Sequence, residues 1–169
     1  MFLYCCLLPQ TVSANSSYQV DLIIFAKHPT FAKHREIDSP FVPVGKEVIK
    51  LKKTGLYQLL APSDSSLKNE YYLLTHKSKY RILANYSWRQ PKNNQSSIAI
   101  PNIKSQGWNI KGRLRIVQTN FYALEAELQC ASPQNPQAVF TVIQKQRLLP
   151  DTVYYLDNPQ VRMLIKIHV

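Results

Sequence analysis

The sequence has few of the residues from which nucleotide, metal and catalytic sites are usually built. It contains four glycines, three cysteines and four histidines in 169 residues. The glycines stand at positions 45, 55, 107 and 112, too scattered for a phosphate-binding loop or a dinucleotide fingerprint. No histidine lies at a metal-ligand spacing from a cysteine, and no nucleophile elbow is present. We therefore expect no cofactor, no metal site and no catalytic residue, in a protein that is not an enzyme.

Cysteine is scarce where a disulfide would matter. Cys5 and Cys6 lie at the very start of the chain, which leaves Cys130 alone in the rest. A single cysteine allows no internal disulfide, so the fold has to depend on its hydrophobic core. We expect Cys130 to be a small buried apolar residue and not a reactive thiol.

Acidic residues are also few. Ten Asp and Glu face 21 Lys and Arg, which gives a formal net charge of +11. Such a balance predicts attraction to polyanions, and nucleic acid, anionic lipid and the carboxylate-rich bacterial cell wall all qualify. The length and the hydrophobic content of 45% are those of one ordinary globular domain.

No stretch approaches the roughly 18 unbroken apolar residues of a membrane span, so we expect none in the mature chain. The start has instead the pattern of a signal peptide over residues 1–14: an apolar segment at 2–8, no charge before Asp21, and Val12-Ser13-Ala14 as a cleavage signature. This predicts cleavage after Ala14, a single mature domain over 15–169, and export to the periplasm. The alternative, a buried N-terminal strand, is disfavoured by the polar break from Pro9 to Ser17.

Period-two patterns dominate the remainder and predict strands. They cover residues 18–25, 80–90, 111–116, 124–128, 138–149 and 161–169. Residues 26–53 have no sustained period and indicate a long surface excursion, and residues 51–60 fit either a short strand or a turn of helix. Leu67, Tyr71 and Leu74 have helical spacing. We predict an α+β fold, a mostly antiparallel β-sheet with one or two short helices packed on one face.

Two of these strands carry opposite charges. Arg113 and Arg115 alternate with apolar residues, as do Glu125 and Glu127 further on. A hairpin turning near Asn120 would pair Arg113 with Glu127 and Arg115 with Glu125, although one long strand is also compatible with the alternation. In residues 80–90 the alternation places Tyr80, Ile82, Ala84, Tyr86 and Trp88 on one face. Arg81, Asn85, Ser87 and Arg89 then lie on the other.

Four stretches together resemble the CsiV family of periplasmic peptidoglycan-binding proteins. They are YQVDLIIF (18–25), YRILANYSWRQP (80–91), GRLRIVQTNFYALEAEL (112–128) and QKQRLLPDTVYYLDNP (144–159). Asn85 and Asn158 stand where the family usually has histidine, so histidine chemistry is excluded at these motifs. The resemblance implies a non-enzymatic envelope protein of a Gram-negative bacterium. It would bind the wall and help a bifunctional penicillin-binding synthase work with its outer-membrane lipoprotein activator.

The basic residues on the polar faces of the strands and the polar residues of the motifs are the candidate ligand-binding residues: Arg81, Arg89, Gln90, Arg113, Arg115, Lys145, Arg147 and Tyr155. Trp88, Asp157 and Pro159 are expected to be structural. Arginine and lysine suit the carboxylates of wall peptides, and aromatic rings suit the apolar faces of sugars. The alternative is that these cations are ordinary solvent-exposed residues of the strand faces and bind no ligand. A nucleic-acid-binding module and an adaptor that binds only proteins are the alternative functions, and export would exclude the first, so we expect no nucleic-acid partner.

The motif YYLDNP (154–159) places an acid and a proline between two apolar runs. Asp157 is predicted to turn and anchor the chain, since Asp and Asn side chains accept hydrogen bonds from backbone amides just downstream and Pro159 has a fixed φ. The alternative is that Asp157 pairs with a buried arginine, with Arg147 as the first candidate.

Overall fold

A computed structural model describes residues 16–27, 40–43, 45 and 48–169. The predicted signal peptide and its cleavage site lie outside the described residues, as does the part of the predicted excursion from 28 to 39. The strands are β1 (Ser17–Lys27), β2 (Ile49–Lys50), β3 (Gln58–Leu59), β4 (Tyr80–Pro91), β5 (Ser97–Ala99), β6 (Ile103–Ser105), β7 (Trp108–Gln118), β8 (Tyr122–Ser132), β9 (Asn135–Leu148), β10 (Tyr154–Leu156) and β11 (Val161–His168). A 3-10 turn (Pro62–Asp64) and one α-helix, α1 (Lys68–Thr75), separate β3 from β4.

The strands form two sheets. The first has the order β10-β11-β1-β4-β3, and the second has the order β2-β5-β7-β8-β9 with β6 paired to β7. Every pairing between these strands is antiparallel except the two-residue contact of β2 with β5. The prediction of a mostly antiparallel β fold with a short helix is confirmed, but in two sheets and not in one.

The main hydrophobic core contains residues from both sheets, because every second residue of a strand points to the same face of its sheet. Val20, Leu22 and Ile24 of β1 belong to the same cluster as Leu114 of β7 and Leu128 of β8. All five are at most 1% exposed. The predicted alternation of the closing strand is also observed, since β11 buries every second residue from Val161 to Ile167. The outer face of the second sheet carries mostly polar and charged side chains.

A second, smaller core contains two leucines, one just before α1 and one in its last turn. Leu67 and Leu74 cluster with Ile23 and Phe25 of β1. Tyr71, which the spacing placed on the same apolar stripe, is 39% exposed.

The chain just before α1 is held by a buried carboxylate. Asp21 of β1 is fully buried and accepts hydrogen bonds from the backbone amide of Ser66 (3.0 Å) and from its hydroxyl (2.6 Å). The Gln19 side chain donates a third bond to the same carboxylate (2.9 Å). Because a buried charge is stable only when its oxygens are satisfied, Asp21 is an anchor of the fold.

Strand β4 departs from the predicted alternation at a β-bulge. Ile24 pairs with Ala84 while the next residue, Phe25, pairs with Ile82, so Leu83 is an extra residue in β4. One extra residue reverses which side chains face which side. Ile82 consequently packs on the second core and Trp88 on the main one. The prediction of one continuous face from Tyr80 to Trp88 is wrong for this reason.

Candidate binding site

The β7–β8 hairpin has the register that the charge pattern predicts. Arg113 is opposite Glu127 and Arg115 is opposite Glu125. The turn between the strands is closed by a hydrogen bond from the Thr119 amide to the carbonyl of Phe121 (2.9 Å). The hairpin prediction is confirmed, and the alternative of a single long strand is wrong.

These charges form ion pairs of unequal quality. Arg113 donates from Nε (3.0 Å) and Nη2 (2.7 Å) to one oxygen of Glu127. Glu125 has longer contacts, with one oxygen 3.6 Å from Arg115 Nη1 and the other 3.5 Å from Lys145 Nζ on β9. The Lys145 side chain is 74% exposed and that of Glu125 is 47% exposed. Exposed pairs of this length are screened by water and contribute little to stability, so Glu125 holds Lys145 and the Nη1 atom of Arg115 only weakly. Arg115 is fixed from its other side, where Nε donates to the carbonyl of Gln95 (2.9 Å).

The ion pairs lie in a groove of about 880 Å³ on the outer face of the second sheet. Strands β7, β8 and β9 form its floor, and β5 reaches it because Ser97 pairs with Arg115. Ile143 of β9 is 65% exposed at this surface. The lining residues are Gly45, Val48, Gln95, Ser96, Ser97, Arg113, Arg115, Glu125, Ala126, Glu127, Ile143, Gln144 and Lys145.

Val42, which lies far from β8 in the sequence, is hydrogen-bonded to the side chain of Gln129 on β8. Gln129 Oε1 accepts from the backbone amide of Val42 (2.7 Å), and Gln129 Nε2 donates to the Val42 carbonyl (3.0 Å). The neighbouring Phe41 ring lies 4.9 Å from Lys111 Nζ. Gln129 thus acts as a strand partner would, exchanging two bonds with one extended residue.

Three of the predicted binding residues meet in the groove and the others do not. Arg113, Arg115 and Lys145 line it. Arg147 follows on β9, with its guanidinium carbon 3.6 Å from the centre of the Phe121 ring, a cation–π contact. The remaining candidates, which do not line the groove, are Arg81 and Arg89 on β4, Gln90 at the end of β4, and Tyr155 on β10.

Gln90 is a core residue, which corrects its selection as a surface ligand-binding candidate. It is fully buried, accepts a hydrogen bond from Trp88 Nε1 (2.7 Å) and donates one to the Tyr18 hydroxyl. Tyr18 in turn donates to the carbonyl of Ile116 in the second sheet (3.4 Å). Burial raises the pKa of Tyr18. The two neighbours of Gln90 behave as expected, with Trp88 fully buried and Arg89 exposed.

Asp157 forms an ion pair, and the partner is not the one predicted. One carboxylate oxygen accepts from Arg162 Nε (2.7 Å) and from the Tyr155 hydroxyl (2.9 Å). The Arg162 side chain is only 14% exposed. The hydrogen bond from Arg162, followed by that from Tyr155, lowers the pKa of Asp157. Burial, reinforced by the hydrogen bond to Asp157, raises the pKa of Tyr155 to about 12.

Asn158, the residue after Asp157, closes the turn that contains Pro159. The side-chain oxygen of Asn158 accepts from the backbone amides of Gln160 (3.1 Å) and Val161 (3.3 Å). The turn bonds predicted for Asp157 therefore belong to Asn158, whose amide oxygen suits this geometry as well as a carboxylate does. The candidate partner Arg147 is replaced by Arg162.

Several groove residues carry no recognisable signal in the sequence. Gln95, Ser96 and Ser97 come from a three-residue strand and the loop before it, too short for a periodic signal. Ile143 was visible only as one residue of an apolar run. Glu125 and Glu127 were identified as partners of the arginines and not as parts of a ligand site.

The fold and the groove together define an antiparallel two-sheet protein with a charged groove on the outer face of one sheet. The model of the family described as "Peptidoglycan-binding protein, CsiV" matches residues 1–169, so the chain belongs to the CsiV family of peptidoglycan-binding proteins. No curated protein and no solved structure matches the chain.

Two further observations concern only the part of the chain that the structure describes. It contains no helix that is long and apolar enough to cross a membrane. Nor does it contain a group of three or more His, Cys, Asp or Glu side chains placed to hold a metal ion.

Proposed function

We propose that this protein binds peptidoglycan through the groove on the second sheet and catalyses no reaction on it. The observation that carries the proposal is the convergence of Arg113, Arg115 and Lys145 on one groove of a chain whose family binds peptidoglycan. Wall peptides carry carboxylates, which the planar fork of arginine and the ammonium of lysine both bind. The net charge of +11 adds long-range attraction to the same polymer.

The carboxylates in the groove support binding over catalysis. Glu125 and Glu127 are each engaged by cations, and their side chains are 47% and 38% exposed. A general acid for cleavage of the glycan or the peptide usually lies in a setting from which water is excluded. Neither residue has such a setting.

We further propose that the protein works in the periplasm, after removal of residues 1–14, and supports wall assembly. Its partners would be a bifunctional penicillin-binding synthase and the lipoprotein activator of that enzyme. The proposed partners are supported by the resemblance of the four sequence stretches to the CsiV family. The support for export is the signal-peptide pattern. Mass spectrometry of the mature N-terminus tests the export step, with Asn15 as the expected first residue.

Cell fractionation followed by sedimentation with isolated sacculi tests the proposed function. The wild-type chain is expected in the periplasmic fraction and in the sacculus pellet. The double variant Arg115→Ala, Lys145→Ala should be retained less. Lys104→Ala, which removes an exposed cation on β6 outside the groove, is the matched control and should behave as wild type.

Two outcomes would overturn the proposal. Absence of the wild-type chain from the pellet at low salt would exclude wall binding. Displacement from sacculi by duplex DNA as effective as that by soluble wall fragments would favour the nucleic-acid alternative. An adaptor that binds only proteins would also give no retention on purified sacculi.

A further inference from the structure

We propose that the groove holds the stem peptide of the wall and not its glycan strand, an inference that rests on the proposed function. The first argument is the arrangement of charge. Two cations on β7, Arg113 and Arg115, lie beside two acids on β8, Glu125 and Glu127, and Lys145 follows on β9. The floor of the groove is therefore striped, with positive side chains on β7, negative side chains on β8 and a positive side chain on β9. Such a surface is complementary to a ligand that carries charges of both signs.

The stem peptide of Gram-negative walls has this chemistry. It consists of alanine, D-glutamate, diaminopimelate and D-alanine, so it has several carboxylates and the amino group of diaminopimelate. The glycan backbone, by contrast, consists of neutral amide-bearing sugars apart from the lactyl group to which the peptide is attached. A striped surface therefore distinguishes the two parts of the polymer.

The second argument is that the charges around Glu125 are available. Its contacts with Arg115 and Lys145 are 3.6 Å and 3.5 Å long, against 2.7 Å for the shortest contact of Arg113 with Glu127. A ligand carboxylate can take hydrogen bonds from Lys145 Nζ and Arg115 Nη1 at little cost in broken bonds, while Arg115 Nε keeps its hydrogen bond to the Gln95 carbonyl (2.9 Å). Glu125 is then left free to accept from the ligand ammonium. Arg113 and Glu127, already paired closely, would form a fixed edge of the site.

The third argument is the uncharged part of the lining. None of the described residues that line the groove is aromatic, whereas sugar rings in protein sites commonly stack on aromatic faces. Ile143 is 65% exposed and offers an apolar contact that suits the methyl groups of alanine. Ser96 and Ser97 supply hydroxyl groups for peptide amides. The volume, about 880 Å³, lies within the range of small-ligand sites, about 300–1,000 Å³.

Isothermal titration of the purified chain with two probes tests the inference. One probe is the synthetic tetrapeptide of the stem, acetylated at its N-terminal alanine because that nitrogen is acylated in the wall. The other is stripped glycan, which is glycan strand freed of peptide by an amidase and then amidated on the lactyl carboxylates that the cleavage exposes. The tetrapeptide is expected to bind and the stripped glycan is expected not to bind. Removing one charge-assisted hydrogen bond between ligand and groove is expected to weaken binding about tenfold or more.

Analogues of the peptide and variants of the protein locate the contacts. A tetrapeptide with amidated carboxylates should lose about tenfold in affinity for wild type and should be insensitive to Lys145→Ala. A tetrapeptide acetylated on the diaminopimelate amine should likewise be insensitive to Glu125→Gln. Lys145 is 74% exposed, so its variant is expected to fold, and unchanged thermal unfolding verifies this. Lys104→Ala is again the control.

The outcomes separate this inference from the proposed function. Retention on sacculi together with binding of stripped glycan but not of tetrapeptide would overturn the inference and leave wall binding intact. No retention on sacculi would overturn both. Binding of the tetrapeptide with equal affinity by wild type, Arg115→Ala and Lys145→Ala would place the peptide elsewhere and overturn the assignment to the groove.

Discussion

Three consecutive residues of β4 meet three different environments. Trp88 is fully buried in the main core, Arg89 is exposed, and Gln90 is buried and hydrogen-bonded. The buried glutamine satisfies two groups that would otherwise be costly, the indole nitrogen of Trp88 and the hydroxyl of Tyr18. Side-chain chemistry alone would have placed Gln90 at the surface.

Trp88 and Arg89 should therefore contribute very differently to the stability of the fold. Trp88→Ala is expected to lower the free energy of unfolding by about 3–5 kcal/mol, because it leaves a cavity and an unpaired Gln90. Arg89→Ala should change it by less than about 0.5 kcal/mol. Urea unfolding followed by circular dichroism measures both. An equal loss in the two variants would mean that the faces of β4 are assigned wrongly.

Asp157 should make the stability of the protein fall in acid. Its pKa is below its ordinary value of 3.8, because the folded state supplies hydrogen bonds from Arg162 and Tyr155. A carboxyl whose pKa is lowered by folding contributes stability that is complete above its unfolded pKa. That contribution is lost as the pH falls through the folded value.

The variant Asp157→Asn tests this dependence. Wild type should be the more stable of the two at neutral pH, and the difference should close below about pH 4. Unfolding in urea at a series of pH values measures the difference. A difference that stays constant down to the acid limit would show that the ion pair with Arg162 contributes nothing to folding.

At the scale of the element, the β7–β8 hairpin depends on a glycine. A Cβ added at Gly112 would lie 2.5 Å from the carbonyl oxygen of Glu127 and 2.5 Å from Cδ2 of Leu128. Gly112→Ala is therefore expected to push the two strands apart and to cost about 1–3 kcal/mol or more. Gly45→Ala, where a Cβ would meet nothing within 4 Å, is the control. Chemical denaturation of both variants decides the matter, and a Gly112→Ala protein as stable as its control would contradict the packing.

Strands β7, β8 and β11 were predictable because alternate residues along much of each strand are apolar. Strand β1 has the same period-two pattern but buries both of its faces. The opposite charges of β7 and β8 made their hairpin pairing one of two predicted arrangements. The short strands had no such signal. The two residues of β2 and the three of β5 exist only because a neighbouring strand binds them. The bulge at Leu83 was hidden because apolar residues stand on both sides of it.

The site was predictable only in part, for a related reason. Arg113, Arg115 and Lys145 were selected because they are cations on polar strand faces, and their convergence on one groove depends on the order of strands in the sheet. Arg81 and Arg89 satisfied the same rule on β4, which belongs to the other sheet. A charge pattern shows which face of a strand is wet, but it does not show which strands are neighbours.

At the scale of the whole molecule, the net charge of +11 should make wall binding sensitive to salt. The screening length falls from about 10 Å at 0.1 M salt to about 3 Å at 1 M. Retention on sacculi should consequently decrease steadily over this range, since exposed cations such as Lys145 are fully screened by water and ions. Sedimentation at increasing sodium chloride measures the decrease. Retention that is constant up to molar salt would exclude a mechanism based on the basic surface.

Cys130, the one cysteine among the residues that the structure describes, can report on opening of the fold. It lies on β8, the strand between β7 and β9, is fully inaccessible, and its pKa is raised to about 12 by burial. A thiol reagent can therefore react with it only in molecules whose sheets have transiently separated. A ligand that spans β7, β8 and β9 stabilises the closed form in proportion to its occupancy. With Cys5 and Cys6 replaced by serine, the slowing of Cys130 modification by a wall fragment would measure the affinity of that fragment, with no probe attached to the groove.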